Sequence, residues 1–411
     1  MGRTPTSIIE KLRKNRSAGK KAMCAAAWSW LAYAYRRVIP CSSKESSSFL
    51  FYGHSRVIVR HQIRFFQILK RRFPDAECRI VLFGMDEKTE AIVAESCLKH
   101  GLKTIHNWVV PFRFWSVCVI ADHSYQDEFV PNETSVLFIY HGLGSIKMVN
   151  GENYKYGDTF VLNKYGRLKY DVMFEAGEFQ KEYASMLAPK LKEVLSVVGD
   201  LEVDSFLRMC SRRQQLKEEL NYSEGSRILL VQSTWSSNSL EQRLGEPLFG
   251  MCEKLAELLD LKVIFSSHPT HWGGRSDIED RSEFYLSRES ENIRVLRPDE
   301  DRHPFMAIAD VCLSDITTLS TIFSFSKRPL VFSVGDSNSL DSGSELAKLI
   351  DACPTGDSCE DLEDLICKAF SNKIAPAYTD LLPQFCKYPG GASGAMMKEV
   401  ANLLEEKPAI K

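Results

Sequence analysis

The stretch Ala309–Ser333 constrains the fold of this chain more than any other. Val311–Leu313 is a short apolar run of the kind that forms a buried strand. Ser314-Asp315 follows, then a hydroxyl cluster of Thr317, Thr318, Ser320 and Thr321. Ile316, Leu319, Ile322, Phe323 and Phe325 share one helical face. Lys327-Arg328 falls in the last turn, and Pro329 stops the helix. Leu330–Phe332 reads as the next strand. Strand, turn, helix and strand at this spacing make one unit of a parallel α/β sheet. The turn places backbone N–H groups, hydroxyls and the positive end of a helix dipole beyond the carboxyl end of a strand, where a phosphate can be held. A plainer role also fits: Asp315 and Thr317 capping the helix.

The same alternation runs through most of the chain. Strands are expected at Leu50–Tyr52, Arg79–Phe83, Lys103–Trp108, Phe114–Ile120 and Val136–Tyr140. Helices are expected at Val57–Lys70 and Glu87–His100. Asp158–Leu162, Asp171–Phe174 and Lys192–Val198 are further strand candidates. A helix from about Phe206 to Leu220 bridges to a second series: strands at Arg227–Val231, Lys262–Phe265 and Asn292–Leu296, helices at Leu248–Leu259 and Pro304–Ala309. Glu360–Phe370 and Ala395–Leu404 are late helices. The spacing predicts two doubly wound domains.

The chain has 411 residues, enough for two such domains with real cores. A formal net charge of −2 gives no global field for nucleic acid. The twelve cysteines include no C-x-x-C pair, which argues against a zinc ribbon. Cys118 and Cys312 fall inside apolar runs and read as core residues, so a reducing, cytoplasmic setting is expected.

The first forty residues differ in character. Arg3, Lys11, Arg13, Lys14, Arg16, Lys20 and Lys21 precede an apolar run, Ala22–Ala34, that ends against Arg36-Arg37. Its thirteen residues are too few to span a bilayer. Trp28, Trp30, Tyr33 and Tyr35 favour an interface, and the cations suit anionic headgroups. The preferred expectation is a peripheral anchor on the inner face of the membrane. A secretory signal and a helix packed on the protein's own core are the competitors.

Two histidines end apolar strands. His141 follows Val136–Tyr140, and Gly142 and Gly144 after it let a backbone approach a ligand, with Lys147 beyond. A histidine there can act as a general base near neutral pH, or can be a structural edge residue. His268 ends the strand at Lys262–Phe265 and is fixed by Pro269, with His271 and Arg275 close by. Histidine with arginine can hold a phosphate, and a structural turn fits as well. His268-x-x-His271 has no further ligands at zinc spacing, so no metal site is expected. Walker, dinucleotide and nucleophile-elbow glycine patterns are absent from the sequence.

In order, HGLGSIK, GDLEVD, a strand into QSTW, SSHP, and SDITTLSTIFSFSKRPLVF resemble the CDP-glycerol glycerophosphotransferases of teichoic acid and capsule polysaccharide biosynthesis. That family's patterns are H-G-T-P-x-K, G-Y-P-R-N-D, a strand into P-T-W, H-P, and T-D-Y-S-S with K-P-I-x-F downstream. Pro389–Ser393 is similar to its late D-G-x-A-S segment. Lys147 lies one residue further from the histidine than in the family pattern. Leu143 and Gly144 replace T-P, and GDLEVD lacks the Y-P-R-N chemistry.

The resemblance implies a GT-B-like α/β fold, two Rossmann-like domains facing across a cleft. The expected segments are 1–41 (interfacial), 42–205 (acceptor domain), 206–375 (CDP-donor domain) and 376–411 (C-terminal helical segment). It implies transfer of glycerol phosphate, or a similar alditol phosphate, from CDP-glycerol or a like donor to a hydroxyl of a lipid-linked or polysaccharide acceptor. His141 matches the general base and His268 the histidine that contacts phosphate. Asp315, Thr317 and Thr318 match the donor-holding positions, and Thr234 and Trp235 the nucleotide side. Gly142, Lys147 and Arg275 join them as substrate-binding candidates, with Arg328 as a supplementary cation. The CDP-alditol is substrate, and no separate cofactor is expected. A GT-B glycosyltransferase using a nucleotide sugar and a non-catalytic nucleotide-binding protein at the membrane are the alternatives.

Overall fold

The computed structural model describes residues 47–123, 130–131, 133–140, 148–149, 152–153, 155–163, 166–234, 239–273, 279–335 and 340–405. The expected interfacial segment, 1–41, lies outside them. The chain forms two compact units, residues 1–141 with 163–174 and 397–411, and residues 142–162 with 175–396. The sequence placed the boundary at 205/206; the compact units change over at 141/142, 162/163, 174/175 and 396/397.

In the first unit the strands are β1 (Ser48–Gly53), β2 (Glu77–Leu82), β3 (Lys103–Thr104), β4 (Val117–Ile120), β5 (Ser135–Phe138) and β6 (Val172–Glu175). Their order is β3-β2-β1-β4-β5-β6, and every pairing among them is parallel. All six residues of β1 are buried, because helices cover both faces of a parallel sheet. Helix α1 (Arg56–Arg72) starts where Ser55 Oγ accepts the Ile58 N–H at 3.3 Å, and it ends in Lys70, Arg71 and Arg72. Helix α2 (Glu87–Lys99) starts at Asp86, whose carboxylate accepts the Thr89 N–H at 2.9 Å.

In the second unit the strands are β7 (Arg227–Gln232), β8 (Leu261–Ser266), β9 (Ile293–Val295), β10 (Val311–Ser314) and β11 (Leu330–Phe332). They form a parallel sheet in the order β9-β8-β7-β10-β11. Alternate residues of β7 face opposite cores. Ile228 and Leu230 pack with Phe206, Phe305, Met306 and Phe323. Leu229 and Val231 pack with Phe249, Cys252, Phe265 and Tyr285. The helices that position the site are α3 (Leu201–Ser211), α4 (Leu240–Leu244), α5 (Glu246–Leu259), α6 (Arg302–Ile308), α7 (Thr318–Ser324), α8 (Cys359–Phe370) and α9 (Ala392–Glu405).

Several expectations are corrected. Asp158–Val161 is a short helix rather than a strand. The strand at Lys103 stops after two residues, and a 3-10 helix, Asn107–Phe112, follows. The helix expected at 206–220 is two helices, Leu201–Ser211 and Arg213–Glu219. The first begins early because Asp200 caps it, accepting the N–H groups of Glu202 (2.6 Å) and Val203 (3.0 Å). Cys118 and Cys312 are fully buried core thiols, as expected. No helix among the described residues is long and apolar enough to cross a membrane.

Candidate functional site

The second sheet runs outward from β7 in both directions, β8 and β9 to one side, β10 and β11 to the other. The gap beyond the carboxyl ends of β7 and β10 is therefore its topological switch point, where open α/β sheets take their ligands. Ser233-Thr234 leaves β7 there, and Asp315 leaves β10.

Asp315 is buried, and its carboxylate bonds inward rather than capping α7. It accepts the Thr234 N–H at 3.0 and 2.9 Å, the Leu240 N–H at 2.8 Å and the Ser233 hydroxyl at 3.2 Å. Burial pushes its carboxyl up to about 6, opposed by the Leu240 and Thr234 N–H groups, the Ser233 hydroxyl and the Arg243 charge. Thr317 is the true cap of α7: its Oγ1 accepts the Leu319 N–H at 3.4 Å. Its own N–H donates to the Asp315 carbonyl at 2.9 Å, which fixes the turn that carries Thr317 and Thr318.

Helix α4 is the second fixture. The Glu241 N–H donates to Ser233 Oγ at 3.1 Å. The Glu241 carboxylate, fully buried, takes the Arg281 guanidinium and the Tyr285 hydroxyl. The Arg281 N–H holds the His271 carbonyl at 2.8 Å. Arg243 reaches past β11 to the Ser333 carbonyl and hydroxyl, at 2.8 and 2.7 Å. Five residues of helix thus tie together the chain leaving β7, β8, β10 and β11.

His268 follows β8, the neighbour of β7. Its Nδ1 accepts the Thr270 N–H at 3.3 Å and lies 2.9 Å from Thr270 Oγ1. With Nδ1 accepting, the neutral ring carries its proton on Nε2, an arrangement that makes the outer nitrogen a donor. Trp272 Nε1 donates to Ser267 Oγ at 2.8 Å, holding the same loop. His271 is buried, and burial lowers its pKa.

Of the residues expected from sequence, Thr234 and Asp315 are hydrogen-bonded to each other. Thr317 and Thr318 follow one turn on, and His268 ends the adjoining strand pair. His141, Gly142, Lys147, Trp235 and Arg275 lie outside the described residues. In the first unit the chain leaves β5 through Tyr140, which has a φ of +47°. That left-handed conformation is uncommon for a tyrosine.

Arg328, a supplementary cation in the sequence reading, is engaged within the protein. Its guanidinium donates to the carbonyls of Ala307 (2.9 Å) and Ala309 and to Cys210 Sγ (3.4 Å), clamping the end of α6. It does not lie in the last turn of α7, which ends at Ser324; Lys327 sits beyond it with a φ of +57°. Sequence reasoning missed Ser233, Glu241, Arg243, Arg281 and Ser333. The available signal was Ser239-x-x-Gln242, a capping pattern in which Ser239 Oγ accepts the Gln242 N–H at 3.3 Å and starts α4.

The stretches Gly199–Asp204 and Pro389–Ser393 meet. Gly199 has a φ of +84°, and a Cβ there would lie 2.8 Å from Ala392 Cβ. Asp204 accepts the Gly390 N–H at 2.6 Å, just before α9. Asp200 is pushed up to about 6 by burial and by the charge of Glu202. Both acids serve helix starts. Among the described residues no group of three or more His, Cys, Asp or Glu is placed to hold a metal ion.

No family model matches the chain, and no curated protein matches it in sequence. Solved structures match along nearly all of it. The wall teichoic acid polymerase TagF superposes with a TM-score of 0.63 at 11% identity, covering 98% of this chain and 99% of that one. The fold is GT-B. A UDP-GlcNAc 2-epimerase from Neisseria meningitidis, bound to UDP-GlcNAc, gives 0.56 at 11% identity, covering 86% of this chain and 100% of its own. A glycosyltransferase from Rickettsia africae gives 0.52 at 11% identity, covering 88% and 100%. At such identities the likeness establishes the two parallel-sheet units of the GT-B fold and nothing narrower.

Proposed function

We propose that this GT-B protein is a transferase that moves glycerol phosphate, or a similar alditol phosphate, from a CDP-alditol to an acceptor hydroxyl. One observation carries the reading. The donor-type motif residues Thr234 and Asp315 are bonded to each other at the switch point of the second sheet, with His268 ending the next strand. TagF, at 0.63 the same fold over the whole chain, is named as a wall teichoic acid polymerase, and it has been soaked with CDPG.

In this reading His141 takes the proton from the acceptor hydroxyl. The acceptor oxygen bonds to the β-phosphorus in line, the bond from that phosphorus to the bridging oxygen breaks, and CMP leaves with the electron pair. His268 donates from Nε2 to a phosphate oxygen, and the Thr317 hydroxyl and the Thr318 N–H take more of the charge. Gly142, Lys147, Trp235 and Arg275 complete the substrate contacts. Asp315 acts through the backbone it holds, so it is a positioning residue. Rate would come from placement and electrostatics. The acceptor is a lipid-linked or polysaccharide hydroxyl, and segment 1–41 would bring the enzyme to the inner face of an anionic membrane.

The test is a donor panel of CDP-glycerol, CDP-ribitol, UDP-sugars and CMP-sugars, with product masses read by mass spectrometry. CMP release with an acceptor heavier by one alditol phosphate is the expected result. UDP release with a glycosylated acceptor would instead select the nucleotide-sugar reading, which the shared fold of the epimerase and the Rickettsia enzyme keeps in play. Donor binding without turnover would select a non-catalytic role. His141→Ala is expected to abolish transfer while leaving CDP-glycerol binding intact; full activity in that variant rules out the proposed base.

A further inference from the structure

The first unit carries a groove of about 470 Å³ between α1 and α2, distinct from the strand-end residues discussed above. One wall is a row of arginines, Arg56, Arg60 and Arg64, spaced four apart on α1 so that they share a face. His100 adds a fourth basic side chain at the far end. The floor is apolar, from Val59, Ile63 and Ile92, and Ile92 is 43% exposed. Among the described residues that line it there is no carboxylate.

This charge placement opposes the helix that carries it. Arg56 opens α1, where the helix dipole favours an anion, and the first turn holds no acid. Like charges four residues apart repel. A row of cations at that end, beside apolar surface and without lining acids, is complementary to an anion with an apolar body.

We propose that this groove binds an amphiphilic phosphate ester, with the phosphate on the guanidinium groups of Arg56 and Arg60 and the apolar part along Ile63 and Ile92. The inference goes beyond the transfer reaction and does not depend on it. A bilayer headgroup and a free phosphate ester present the same chemistry, and the arms of the experiment separate them.

The experiment titrates the full chain with short-chain phosphatidic acid below its micellar concentration, and in parallel with vesicles of phosphatidylcholine with and without phosphatidylglycerol. The variants are Arg56→Gln with Arg60→Gln, and a charge-matched control, Lys88→Gln with Lys99→Gln, on α2 outside the groove. All four sites are exposed and glutamine is a good helix former, so folding is expected to be kept. The wild type is expected to bind the soluble ester, and the arginine variant to bind it on the order of tenfold more weakly or worse. The control is expected to match the wild type. Vesicle binding lost in the arginine variant alone would assign the headgroup source; vesicle binding unchanged there, with the soluble ester lost, would assign a free ester. Equal weakening in both variants, or no binding of the ester by the wild type, would overturn the proposal. CDP-glycerol turnover is not measured, so failure here leaves the transferase reading untouched.

Discussion

The carboxyl ends of the two sheets are secured by different chemistry. In the second unit, charged groups grip backbone: the buried Asp315 holds Thr234 and Leu240, and the half-buried Arg243 holds Ser333. In the first unit, rings dominate. His123 stacks on Phe138 at 5.0 Å, Tyr170 packs on Phe138 at 4.9 Å, and the Tyr170 hydroxyl meets His123 Nδ1 at 2.6 Å. His54 lies 5.7 Å from Phe83. Directional bonds to buried carboxylates fix loop geometry closely, whereas ring contacts tolerate sliding. Under the proposed transferase reading, a donor-binding half would benefit from the first arrangement and an acceptor-binding half would suit the second.

The contrast can be broken most strongly at Asp315. Asp315→Ala takes the shared acceptor away from the Thr234 and Leu240 N–H groups and from the Ser233 hydroxyl, and is expected to destabilise the protein by about 4 kcal/mol in urea titrations. A loss under 1 kcal/mol would mean that the loops hold themselves. Glu241→Gln strands the Arg281 charge and is expected to cost about 3 kcal/mol, somewhat less because Arg281 is partly solvated.

The pH dependence sharpens the same point. With its carboxyl raised from 3.8 to about 6, Asp315 holds its proton more tightly in the folded state than in the unfolded one. Its contribution is therefore full below about pH 4 and declines as pH rises to about 6, by up to about 3 kcal/mol. The stability difference between wild type and Asp315→Asn should shrink across that window and stay flat above it. A difference that grows with pH would mean that the hydrogen bonds outweigh burial. On the aromatic side, Tyr170→Phe removes one hydroxyl and is expected to cost only about 1 kcal/mol, read as a shift in urea midpoint.

Much of the fold was legible because parallel strands covered on both faces must be apolar on both faces. Val311–Leu313, Arg227–Val231 and Leu50–Tyr52 announce themselves in that way. Asp158–Val161 misled because a few mixed residues fit a strand or one helical turn equally. The site was legible as residue types and order. Asp315 stood out, yet its inward role did not, because its partners are backbone groups 81 and 75 positions away. Glu241 reads as an ordinary solvated acid on a short helix. Only Arg281 and Tyr285, forty and forty-four residues on, make its burial possible. At Arg328 the sequence offers a cation beside a motif turn but not its two carbonyl partners, which lie about twenty residues back.

Hydrogen exchange on the unmodified protein, with and without saturating CDP-glycerol, tests the placement of the donor at the switch point of the second sheet. Slowed exchange is expected in the peptides that contain Ser233-Thr234, His268–Thr270 and Thr317–Leu319, which leave β7, β8 and β10. Protection confined to the first unit, or no change in those three peptides despite bound nucleotide, would contradict it.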